Sequence, residues 1–229
     1  MNIQENLKEI REKIRIAAVN ANRNPEEIKL IAVSKTKPMS AILEAIDEGQ
    51  MDFGENRPQE IVEKFPHASN VNWHLIGQLQ KNKVRHVIDK ATLIHSVDSI
   101  SLADEIQKRA EKIDKIQDIL IQVNISGEST KSGVSPEYAI QLCKQISNYS
   151  NIRIKGLMTI SVRGMTYEEN FELFSQLKKL AEQIARENIP NVSMEELSMG
   201  MTHDFDAAIA AGATLIRIGT AIFGERDYS

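Results

Sequence analysis

Two rhythms of apolar residues alternate along the chain. Leu7, Ile10, Ile14 and Ala17 or Ala18 fall at helical spacing and predict an amphipathic helix within residues 1–22. Asn24-Pro25-Glu26-Glu27 then reads as a capped turn, because the asparagine side chain accepts from amides that the following residues leave open. Residues 28–33 form a β-branched run and predict the first strand. A helix begins at Pro38, with Ile42, Leu43 and Ile46 inward, and Gly49 stops it in the left-handed conformation. The same order of strand, polar loop and helix recurs, with strands predicted at 51–54, 73–77, 93–97, 119–124, 152–160, 196–198 and 214–218. Between them, helix starts are marked by Asp98 ahead of Leu102 and Ile106, by Ser135-Pro136-Glu137, and by the capping box Thr166-Tyr167-Glu168-Glu169. A helix over 204–211 is stopped by Gly212.

Such alternation requires parallel strands joined by helical crossovers. Eight strand–helix pairs in 229 residues favour a closed (β/α)8 TIM barrel of the α/β class, with an open doubly wound sheet as the structural alternative. Nothing marks a linker, a repeat or a low-complexity tract, so residues 1–229 are expected to form a single domain in which 1–22 is an extra N-terminal helix.

With 41% hydrophobic and 26% charged residues, the chain has neither the composition of a disordered segment nor that of a membrane protein. Lys and Arg number 28 against 32 Asp and Glu, and the net charge of -4 argues against nucleic acid or an anionic membrane as the main partner. The most apolar stretch, 207–224, contains Arg217 and three glycines and reads as helix, turn and strand rather than a span. The charged N-terminal helix does not resemble a signal peptide, and Cys143, the only cysteine, permits neither an internal disulfide nor a cysteine zinc site. A cytoplasmic monomer is the expected state.

In a barrel of this kind the chemistry sits where strands end. With period two along the first strand, Ile31, Val33 and Lys35 share one face, which points Lys35 into the barrel mouth. A lysine partly withdrawn from water is nucleophilic toward aldehydes. Lys37 ranks second, because Pro38 holds it in an extended turn. The segment Arg217-Ile218-Gly219-Thr220 ends the last strand with a glycine and a hydroxyl ahead of a helical turn, an arrangement suited to phosphate. The Ser198-Met199-Gly200-Met201-Thr202 loop adds hydroxyls. Barrel closure sets the eighth strand beside the first, so an aldehyde-reactive lysine and a phosphate cradle meet at one mouth. Pyridoxal 5'-phosphate satisfies both. Arg217 lies on the face of Leu215 and is read either as a wall ion pair or as a donor to the pyridine nitrogen. Asn56 is a candidate ring contact or a helix cap, and Met158 a core residue within reach of the ring. His74 is a satisfied core histidine or a proton-transfer group, and Lys131 a solvated loop residue or a transient acceptor of the aldehyde on release.

Taken together, Ala32-Val33-Ser34-Lys35-Thr36-Lys37-Pro38, Phe53-Gly54-Glu55-Asn56, Trp73-His74-Leu75-Ile76-Gly77, Leu79-Gln80-Lys81-Asn82-Lys83, Lys131-Ser132-Gly133, Gly156-Leu157-Met158, Leu197-Ser198-Met199-Gly200-Met201 and Arg217-Ile218-Gly219-Thr220-Ala221-Ile222-Phe223-Gly224 resemble the pyridoxal phosphate homeostasis proteins over nearly the whole chain. The resemblance implies a barrel like the N-terminal domain of alanine racemase, a Schiff base on Lys35, phosphate contacts at Ser198, Gly219 and Thr220, and Arg217 near the pyridine nitrogen. It also implies a carrier of the cofactor or a regulator of vitamin B6 and amino-acid balance, without established catalysis, and the first reading is a protein that hands the cofactor to apo-enzymes. Arg57-Pro58 and His203 depart from the family's pattern and alter the rim. A racemase-like enzyme is the alternative, but Tyr138, Tyr149, Tyr167 and Tyr228 offer no evident far-face acid, and only residues 225–229 follow the barrel where such enzymes carry a further domain. A phosphosugar aldolase using Lys35 is a third reading.

Overall fold

The computed structural model describes residues 2–128 and 130–225. Its eight strands pair in chain order, all parallel, and the last closes on the first to make a barrel. Helix α1 (Ile3–Asn20) precedes it, capped by the Asn2 side chain and burying Leu7, Ile10 and Ile14. Strand β1 (Lys29–Val33) leads to α2 (Met39–Asp47), β2 (Asp52–Glu55), α3 (Pro58–Lys64), β3 (Asn72–Leu75) and α4 (Val84–Val87). Then come β4 (Ala91–Val97), α5 (Ile100–Glu111), β5 (Gln117–Gln122), α6 (Pro136–Ile146), β6 (Ile152–Met158) and α7 (Tyr167–Arg186). The chain continues with β7 (Val192–Ser198), α8 (Phe205–Ala210), β8 (Leu215–Ile218) and the single turn α9 (Thr220–Phe223).

Alternation along each strand divides the apolar residues into two bodies. Ile31, Leu93, Leu120, Met158 and Leu215 form a small cluster inside the barrel. The larger cluster, which includes Phe53, Trp73, Ile119 and Leu157, lies between the strands and the surrounding helices. Trp73 is fully buried there and its indole N–H donates to the Ala68 carbonyl at 2.9 Å, so its one polar atom is satisfied. Gly156 permits the shift in register between β6 and β7, since a Cβ at that position would lie 1.7 Å from the Glu196 carbonyl oxygen.

Local signals were mostly placed correctly. Thr166 and Glu169 form the reciprocal capping box, and Gly49 adopts φ 77°. Other details differ, among them the start of β7, at Val192 rather than residue 196. The cap of α5 is Ser99, whose hydroxyl accepts from the Leu102 amide, rather than Asp98. Pro38 is the N-cap of α2 rather than its first helical residue. Leu43 is exposed, because the inward stripe of that helix runs through Ile42 and Ala45, more than a third of a turn away.

Candidate functional site

At the C-terminal ends of the strands a cavity of about 270 Å³ is lined by Lys35, Asn56, Arg217, Gly219 and Thr220, together with Val33, Ile76, Ile160, Met201 and Thr202. Of the residues expected from the sequence to contact the cofactor, Lys35, Asn56, Arg217, Gly219 and Thr220 therefore meet in one place. A larger, more open groove of about 880 Å³ adjoins it, sharing Lys37 and Asn56, but it is walled mostly by polar residues of α3 and its flanks. The smaller cavity holds the convergent chemistry.

Strand periodicity explains why Lys35 and Arg217 face it. Ile31 and Leu215 point into the barrel, Ile31 is in register with Arg217, and Lys35 continues the Ile31 and Val33 face beyond the end of β1. The chain on both sides of Lys35 is anchored. Ser34 donates from its hydroxyl to Glu55 Oε1 at 2.7 Å, and Lys64 Nζ donates to the Ser34 carbonyl at 2.9 Å. Lys64 also pairs with Glu55 at 2.7 Å and Glu60 at 3.0 Å, and Glu60 accepts from the Thr36 amide at 2.6 Å, where Thr36 takes φ 63°. Burial pushes the Glu55 carboxyl up to about 7 against the opposing pull of Lys64 and Ser34. For Glu60 burial also acts upward, but the Thr36 amide and Lys64 outweigh it and hold the group below its ordinary value. These anchors were not recognised from the sequence, although Glu60 and Lys64 stand at i,i+4 spacing in a helix opened by Pro58.

Gly219 closes the other side. A Cβ there would approach the Val33 carbonyl oxygen to 3.0 Å, so the bare backbone lets β8 and α9 draw up to the end of β1. The first turn of α9 leaves amides without intrahelical acceptors, beside the hydroxyls of Thr220 and Thr202.

Arg217 is buried, with one Nη donating to Ser198 Oγ at 2.5 Å and the other to the Thr159 carbonyl at 2.9 Å. Burial lowers its pKa to about 10, opposed by the charge of Asp204, so it remains a cation at neutral pH. Ser198, expected at the phosphate, is not among the residues that line this cavity. Its hydroxyl is fully buried beneath the cavity, between Arg217 and His95. Met158 likewise belongs to the apolar cluster inside the barrel and is absent from the cavity wall. Thr202 supplies the wall hydroxyl instead.

Among the other candidates, Asn56 is not the cap of α3, which is Arg57. Lys37 Nζ donates to the Glu225 carbonyl at 2.8 Å. Lys131 Nζ donates to the Ser161 carbonyl at 2.8 Å and lines a separate cavity that shares Asn56 and Ile76 with the first. His74 is buried against Asp52 and His95. Tyr149 bonds Asp104, and Tyr138 and Tyr167 lie on the outer helices, whereas Tyr228 lies outside the described residues. Cys143 is buried in α6. Among the described residues no helix is long and apolar enough to cross a membrane.

Residues 3–227 match the family model described as alanine racemase, N-terminal domain. A pyridoxal phosphate homeostasis protein of Aquifex aeolicus is 44% identical over 230 residues, covering 100% of both chains. The solved structure of PipY from Synechococcus elongatus with PLP bound is 36% identical with a TM-score of 0.85, covering 97% of this chain and 100% of that one. Alanine racemase of Clostridium difficile shares the fold at 15% identity and a TM-score of 0.78, and this chain spans 58% of its length. The chain belongs to the family of pyridoxal phosphate homeostasis proteins, built on the alanine racemase N-terminal domain.

Proposed function

We propose that this chain binds pyridoxal 5'-phosphate at the barrel mouth and serves the intracellular homeostasis of that cofactor, holding it through Lys35 and supplying it to apo-enzymes. The observation that carries this reading is the convergence of Lys35, Arg217, Gly219, Thr220 and Thr202 on one cavity of about 270 Å³. When bound, the cofactor supplies an aldehyde that condenses reversibly with a primary amine, and a phosphate that calls for N–H and O–H donors. The residues present fit both demands. Lys35 offers the amine from a segment whose backbone is anchored on either side. The Gly219 cradle, the opening turn of α9 and the Thr220 and Thr202 hydroxyls offer the donors.

Arg217 in this reading faces the pyridine nitrogen. A buried guanidinium has no proton acceptor and keeps that nitrogen unprotonated, which makes the ring a weak electron sink and suits storage better than carbanion chemistry. Ser198 holds Arg217 rather than phosphate, and Asn56 and Met201 border the ring. Support also comes from the relatives, which are named for cofactor homeostasis rather than for a catalysed reaction, and from PipY, whose structure has PLP bound. The test is titration of the purified chain with pyridoxal 5'-phosphate, followed by visible absorption. A saturable band in the parent that is lost in Lys35→Met supports the reading, and a chain that takes up no cofactor overturns it.

A further inference from the structure

Behind Ser198 and Arg217 the barrel interior holds three polar groups that the cofactor reading does not use, Asp52, His74 and His95. Asp52 Oδ1 lies 3.0 Å from His74 Nε2, His74 Nδ1 lies 3.0 Å from His95 Nε2, and His95 Nδ1 lies 2.8 Å from Ser198 Oγ, which in turn accepts from Arg217 at 2.5 Å. The line crosses the barrel from the beginning of β2, through β3, β4 and β7, to β8 beneath the cavity. We propose that this line is a proton-ordered chain in which Asp52, through His74, His95 and Ser198, positions Arg217 for the cofactor.

Each hydrogen in the chain is placed by the requirement that no donor face a donor. An ionised carboxylate only accepts, so His74 Nε2 carries a proton. A neutral His74 then accepts at Nδ1, which places a proton on His95 Nε2. A neutral His95 accepts at Nδ1, which makes the Ser198 hydroxyl the donor there and leaves the Ser198 oxygen free to accept from Arg217. One negative end and one positive end thus fix both histidine tautomers. A second proton on His74 would reverse the sequence, leaving two donors on Ser198 Oγ and its own proton to find another acceptor in a fully buried site.

The electrostatics agree with this order. Burial holds His95 well below the ordinary histidine value, and the Arg217 charge acts the same way. At Asp52 burial acts upward, but the hydrogen bond from His74, the Lys29 charge and the Asn72 amide act the other way, and the carboxyl stays below its usual range. Asp204 is the charge that bears directly on Arg217. Asp52 is a positioning residue here, acting on Arg217 through three others.

Coupling to ligand rests on the reading that Arg217 faces the cofactor, whereas the proton order stands without it. The test therefore has two parts. Long-range proton–nitrogen spectra of the full chain without added cofactor, assigned with His74→Gln and His95→Gln, are expected to show both rings neutral and protonated at Nε2 at pH 7. Asp52→Ala is expected to shift His95 away from that single tautomer and to weaken pyridoxal 5'-phosphate binding about fivefold, the scale of one lost hydrogen bond. A cationic or Nδ1-protonated ring in the parent, or a His95 unchanged in Asp52→Ala, overturns the chain. If the variant does not fold, the parent tautomers decide the order by themselves. Altered tautomers with unchanged affinity overturn the coupling, and failure of the parent to bind the cofactor at all counts against the functional reading instead.

Discussion

Glu55 offers a sharp test of how the Lys35 segment is held. Its side chain is completely buried, and its pKa rises from an ordinary 4.5 to about 7 because burial outweighs Lys64 and Ser34. Between those values the folded chain keeps a proton that the unfolded chain has lost. The stabilisation is therefore fully present below pH 4.5 and is lost as pH rises through 7. At about 1.4 kcal/mol per pH unit, the gap amounts to roughly 3 kcal/mol. Glu55→Gln mimics the protonated form at every pH and leaves Lys64 its contact with Glu60. Urea unfolding of parent and variant from pH 4.5 to 8 should show the parent losing about 3 kcal/mol relative to the variant as pH rises. Subtracting the two curves removes carboxylates common to both. A difference that stays flat, or that moves in the parent's favour at high pH, would refute the reasoning, since the Lys64 attraction would then dominate over burial.

Further outcomes follow from close approaches and caps. Gly77→Ala would place a Cβ 2.2 Å from the Asn56 carbonyl oxygen, so pyridoxal 5'-phosphate affinity should fall at least about tenfold by titration, the effect of roughly 1.4 kcal/mol, while the chain remains folded by circular dichroism. Gly156→Ala, with its Cβ 1.7 Å from the Glu196 oxygen, should be among the most destabilising single changes, at about 4 kcal/mol or beyond in chemical denaturation. Thr166→Ala removes one half of the α7 capping box and should cost about 1 kcal/mol with cofactor affinity unchanged.

The barrel was legible because its evidence is local. Gly49, the Thr166 capping box and the run of β-branched strands each signal an element without reference to the rest of the chain, and eight parallel crossovers leave few topologies. Lys35 and Arg217 were legible for a related reason. Period two ties each to an apolar neighbour, Ile31 or Leu215, whose inward direction the core requires. Position within the barrel was harder. Ser198 ends its strand as a phosphate ligand would, but its buried hydroxyl accepts from Arg217 and faces His95, contacts that strand periodicity alone does not reveal. His95 sits unmarked in the mostly apolar β4, and its partners come from β3 and β7, so only closure of the barrel reveals it. The Glu55, Glu60 and Lys64 anchors join three elements across a turn of chain, and a helical charge pair of that spacing ordinarily faces solvent. Leu43 was misplaced because one apolar residue beside a stripe carries little information about which edge of the helix turns outward.

The central claim is that Lys35 holds the cofactor. Reduction of the loaded protein with borohydride makes that bond permanent, and peptide mass mapping locates it. The expected result is a single modified peptide carrying the pyridoxyl phosphate group on Lys35. Modification of Lys37 or Lys131 in its place, or none at all, contradicts the claim.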